Sequence, residues 1–142
     1  MRYISWTYAL NMGYTGGFFD EGYTPGDWHS PCLDWENPHY AETKDYPWGK
    51  WGIEEGVLPG SDPPVKVQKA SHARACIDLI ADGKYGLAQG MRESYIGNEL
   101  YTPVVFEKAM LLKDADNWDD IDGFMGKEYL SDWLDFKKQA NR

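Results

Sequence analysis

Proline and glycine divide this chain in two. Seven of its eight prolines and nine of its fifteen glycines fall in the first 64 of 142 residues. Proline lacks a backbone donor and glycine turns the chain at little steric cost, so no long helix fits there. Residues 1–64 therefore read as short strands and loops. Residues 65–142, where the breakers thin out, read as helices, with Pro63-Pro64 as the seam.

One strand is legible in the first part. Ile4, Trp6, Tyr8 and Leu10 alternate with Tyr3, Ser5, Thr7 and Ala9, the period-two pattern of a half-buried strand. Val65 and Val67 suggest a brief second one. In the helical part, Ser71 is placed to cap a helix carrying Ala73, Cys76, Ile77 and Ile80 on one stripe, stopped by Gly83. A second helix is expected over about 85–96, ending at Gly97. Thr102-Pro103 signals a third start, and Asn117 opens a short helix through Phe124 that breaks near Gly126. A last helix carries Tyr129, Leu130, Trp133 and Leu134. The expectation is a single α+β domain over 1–142. A small N-terminal antiparallel sheet with aromatic-, Gly- and Pro-rich loops packs on a C-terminal group of four to five helices.

Charge narrows the function. The net charge is -9, and the first 64 residues hold ten acids against three bases. Such a surface repels phosphates and anionic headgroups, which argues against direct nucleic-acid or membrane binding. It suits docking on a basic surface of another protein. The amino terminus lacks the apolar run of a secretory signal, no stretch is apolar enough to span a bilayer, and two cysteines make no disulfide framework. The expected location is cytoplasmic.

Histidine and cysteine suggest a metal. His29 lies three residues before Cys32, and His72 lies four before Cys76, which puts the second pair on one helical face. Four such ligands would make a Cys2His2 site for one structural zinc ion, stapling the loop half to the helical half. The bland alternative is a buried Cys76 beside an unrelated His72, with no cofactor. The aspartates at 114, 116, 119, 120 and 122 lack the spacing of a calcium loop and suit a helix's positive end instead.

No dinucleotide, P-loop, nucleophile-elbow or zincin motif occurs. The expected function is a non-enzymatic, acidic protein-binding domain, an inhibitor or regulator. It would dock on the basic surface of a nucleic-acid-handling complex, in general character like compact acidic virus-encoded antagonists of host defence. Its contact residues are expected to be Asp20, Glu21, Asp27, Asp34, Glu36, Glu54 and Glu55, with Trp28, Trp48 and Trp51 as anchors. Two alternatives stand beside this: a small hydrolase using His29, His72 and a carboxylate, or a subunit that self-associates through aromatic patches.

Overall fold

The computed structural model describes residues 1–12, 33–97 and 99–140. Among them are a four-stranded mixed sheet and six α-helices, an α+β architecture. The strands are β1 (Arg2–Ile4), β2 (Tyr40–Glu42), β3 (Ile53–Val57) and β4 (Lys66–Ala70), in the order β2-β1-β4-β3. β1 pairs antiparallel with β2 but parallel with β4, and β3 and β4 form a hairpin. Pro63-Pro64 sits in that hairpin's turn, where Leu58 N–H donates to Val65 O. The seam is thus a turn inside the sheet, and β4 beyond it completes the sheet begun by β1. This parallel pairing departs from the wholly antiparallel expectation.

The expected long first strand is also shorter. After Ile4 the chain turns at Ser5 and enters helix α1 (Trp6–Leu10). Tyr3, Ile4 and Ser5 are all buried in succession, as are Ala9 and Leu10, so burial does not alternate. The break is made by Trp6, whose φ is +58.

Helix α2 (His72–Ala81) is the hub. Ser71 Oγ accepts the Arg74 N–H as the cap that the sequence advertised. Eight of its ten residues are buried, because β4, α1, α3 (Tyr85–Ala88), the turn over Arg92–Ile96 and α4 (Thr102–Met110) pack on it. Two further helices, α5 (Trp118–Tyr129) and α6 (Ser131–Ala140), pack on each other. The helix expected over 85–96 is split at Gly90, φ +84, into α3 and a π-type turn over Arg92–Ile96. α5 runs through Gly126 to Tyr129, where a break had been expected. Met125 and Tyr129 both bury their side chains on the core, and that packing carries the helix past the glycine.

The core contains an ion pair. Arg74 Nε donates to Asp78 Oδ1 at 2.8 Å, and both side chains are fully buried. The guanidinium also reaches the Gly49 and Trp51 carbonyls and Tyr3 Oη. Asp78 Oδ2 accepts from Tyr3 Oη–H and Ser5 Oγ–H. This network ties β1, the 49–51 turn and α2 together.

Candidate functional site

Trp6 follows a strand end that the sheet fixes. Ser5 N–H donates to His39 O, which brings the approach to β2 alongside α1. A left-handed φ is unfavourable for a bulky side chain and persists only where the surroundings over-determine it. Here they do. The Trp6 indole stacks on His39 with centroids 3.9 Å apart and planes 19° from parallel. Its Nε1–H donates to Asp82 Oδ2 at 3.0 Å, and Tyr46 Oη–H donates to the same oxygen. Strain of this kind concentrates at functional positions.

These side chains line a cleft of about 380 Å³ with Tyr40, Ala41, Glu42 and Asp45. Glu42 lies 3.9 Å from the terminal amine. The Asp82 partners are neutral donors, and neither Asp45 nor Asp82 has an ion-pair partner among the described residues. Burial lowers the His39 pKa against the pull of Asp82, so the ring adds no charge at neutral pH. Arg2 places its guanidinium 3.7 Å from the Tyr40 ring centroid, and Lys84 Nζ lies 5.7 Å from that of Trp6.

The acidic, ring-bearing surface extends along α1. Tyr8 meets Trp35 edge-on at 5.2 Å, and its hydroxyl accepts the Asp34 N–H. The Asp34 carboxylate accepts from Asn37 Nδ2–H and the Glu36 N–H, which hold its pKa below the usual range. Among the described residues, the segments that build this face carry five carboxylates (Asp34, Glu36, Glu42, Asp45, Asp82) and three basic side chains (Arg2, Lys44, Lys84).

The contact residues expected from sequence scatter over the molecule. Asp34 and Glu36 belong to this face. Trp48 does not: it is 5% exposed, its Nε1–H donates to Lys108 O at 2.8 Å, and it stacks on Tyr46 as part of the core. Glu54 and Glu55 lie on β3, at the opposite edge of the sheet from β2. Glu55 is exposed and 3.7 Å from Lys66, whereas Glu54 pairs with the buried Lys69. Glu54 and the half-buried Trp51 line a second cavity at that edge. Asp20, Glu21, Asp27, Trp28, His29 and Cys32 lie outside the described residues. Sequence reasoning missed Trp6 as a site residue, together with His39, Tyr46 and Asp82.

His72 and Cys76 share a face of α2, as their spacing required, but both are buried. His72 has Nδ1 3.3 Å from Tyr95 O and Nε2 3.2 Å from Met12 O, so each ring nitrogen faces a backbone carbonyl and the neutral ring donates its one N–H to one of the two. That geometry leaves neither directed at a metal or a substrate. Burial pushes the Cys76 thiol well up, away from the thiolate that metal or nucleophilic chemistry uses. Among the described residues, no group of three or more His, Cys, Asp or Glu side chains is arranged to hold a metal ion. None of the described helices is long and apolar enough to cross a membrane.

Burial lowers the His72 pKa to about 4, against the upward pull of the carbonyls. The unfolded side chain titrates near 6.5, so below that pH the unfolded state takes up a proton that the folded state refuses. Stability should therefore fall between roughly pH 6.5 and 4, by about 3 kcal/mol in total from this residue. Urea unfolding across that window checks this. His72→Gln should flatten the slope, and an unchanged slope in the variant would show that His72 is not its source.

The chain matches no protein-family model, no curated protein and no solved structure.

Proposed function

We propose that the chain is a non-enzymatic binding domain that docks on a basic surface of another protein, taking arginine or lysine side chains into the Trp6–His39 cleft. The observation that carries this reading is a concave site where rings and carboxylates without ion-pair partners converge. Trp6, Tyr40 and Tyr46 contribute rings to its lining, and Asp45 and Asp82 contribute negative charge. A cation gains from both at once. The Arg2 guanidinium on Tyr40 shows the same chemistry within the chain. Tyr8, Trp35, Asp34 and Glu36 extend the contact beyond the cleft. The partner class remains a protein that presents basic groups, such as a component of a nucleic-acid-handling complex, and the mode of action is occupancy of that surface.

Binding of this kind is steered by charge and weakened by salt. A fluorescent hepta-arginine peptide should bind, and raising salt from about 0.05 to 0.5 M should weaken it roughly tenfold or more. Asp82→Asn keeps an acceptor for Trp6 and Tyr46 while removing the charge, and should weaken binding roughly fivefold. A peptide that binds equally at both salt concentrations, or equally to the variant, would contradict the proposal.

A further inference from the structure

The second cavity is a different kind of site. It lies where β3 and the start of α2 meet Ile96, Tyr101 and Val104, at the β3 edge of the sheet, and measures about 330 Å³. Trp51, Ala73, Ile96, Val104 and the ring of Tyr101 give it mostly apolar walls, and beside the Tyr101 hydroxyl Glu54 and Ser71 give it a carboxylate and an alcohol. A pocket of this size with mostly apolar walls and a few converging polar groups is the usual form of a small-molecule site.

The carboxylate and the alcohol are both held rigidly. Gly52 has φ +75, and a Cβ there would lie 2.6 Å from Arg74 Cβ, so bare backbone packs against the first turn of α2. Its carbonyl accepts the Ser71 N–H at 2.7 Å. Ser71 Oγ accepts the Arg74 N–H, and its own proton goes to no described residue. Glu54 Oε1 accepts from the Lys69 ammonium, and Oε2 accepts from no described residue. Lys69 is 2% exposed, with its stem lying across Gly56, where a Cβ would lie 2.7 Å from it. The pair is therefore fixed in place and its charges cancel.

That cancellation selects the ligand. A cation must compete with Lys69 for Glu54, while an anion must approach the Glu54 carboxylate itself. A neutral molecule meets neither obstacle. It gains by donating an N–H to Glu54 Oε2, accepting the Ser71 hydroxyl proton and laying an apolar plane on Trp51, Ile96 and Val104. We infer that this cavity binds a neutral, planar small molecule with an adjacent N–H donor and carbonyl acceptor, an aromatic carboxamide or lactam. The site is remote from the acidic cleft, and its ligand is independent of the docking partner.

Benzamide is the probe, with benzoate and benzamidine as its anionic and cationic counterparts of the same shape. Titrated into ¹⁵N- and methyl-labelled protein, benzamide should shift the Trp51 indole and the Ile96 and Val104 methyls, and leave the Trp6 indole in place. Saturation is expected in the millimolar range normal for so small a fragment. Both charged counterparts should bind at least about fivefold more weakly. Val104→Phe fills the cavity from a half-buried position and should weaken benzamide at least tenfold, on the order of one lost apolar contact surface, with the rest of the spectrum native. Glu54→Gln should weaken it roughly fivefold by replacing the acceptor. Failure of benzamide to shift these resonances at its solubility limit would overturn the inference. So would equal affinity of the three probes, or wild-type affinity in Val104→Phe.

Discussion

Asp78→Ala is expected to destabilise the protein by about 3–5 kcal/mol, the cost of leaving a buried cation without its counter-charge. Arg74 is fully buried and donates Nε–H to this carboxylate. The variant would leave the guanidinium on two carbonyls and a phenol, and would strip the Tyr3 and Ser5 hydroxyls of the acceptor they share. Burial drives the Asp78 pKa up while Arg74, Ser5 and Tyr3 pull it down, so the network stands or falls together. A domain of this size has about 5–15 kcal/mol in all, so a fall in Tm of roughly 10–20 °C is expected. Replacing both partners, Arg74→Met with Asp78→Leu, should recover much of the loss, since an apolar pair leaves no buried charge behind. Thermal unfolding of the three proteins is the check. A native-like Tm for Asp78→Ala would mean that the pair is not closed off from water.

Trp133→Ala is expected to cost about 3–5 kcal/mol through the cavity it leaves. Trp133 is fully buried and is packed by Phe106, Trp118 and Phe136, at centroid distances of 5.3, 6.2 and 6.3 Å. Its Nε1–H donates to Asp122 Oδ1 at 2.7 Å, an oxygen that also accepts from Lys137. Burial tends to raise the Asp122 pKa, but these bonds overrule it and hold the carboxyl below its usual range. Trp133→Phe keeps most of the ring volume and loses the bond, so a smaller loss of about 1–2 kcal/mol is expected. Urea unfolding ranks the three. Equal stabilities for Trp133→Ala and Trp133→Phe would refute the packing account of this helical end.

What the sequence revealed follows the range of the interactions. Ser71 caps α2, and Pro103 stands in the first turn of α4, because a cap or a proline acts within one turn of chain. Thr102 is the first residue of that helix and makes no capping bond. The α+β class followed from the distribution of breakers. The strand expected over Tyr3–Leu10 failed because its alternation suits a one-sided strand, whereas Tyr3 and Ile4 are both buried and Trp6 turns the chain. The parallel pairing of Ile4 with Lys69 was invisible to any local window. Gly126 looked like a stop, but tertiary packing of Met125 and Tyr129 outweighs one glycine's helix penalty of about 1 kcal/mol.

The site was less legible than the fold. Acidity and aromatic content suggested a docking surface, and Asp34 and Glu36 do lie on the acidic face. Its centre joins Trp6 to Asp82, 76 residues apart, through a hydrogen bond that no spacing rule encodes. Trp48 illustrates the reverse error: a tryptophan between glycine and proline looks exposed, yet its ring fills the space beside Arg74 and Tyr46.

The acidic cleft is most directly tested at the Trp6 indole. In a ¹⁵N–¹H spectrum the Trp6 Nε1–H resonance reports the bond to Asp82, on the wall where a partner's cation would settle. Titration with hepta-arginine should move that resonance and the His39 ring signals progressively and saturably, should leave the Trp51 indole unmoved, and should be reversed by salt. Movement of other resonances with the Trp6 indole stationary, or identical shifts from hepta-glutamate, would contradict the reading of this cleft as a seat for basic side chains.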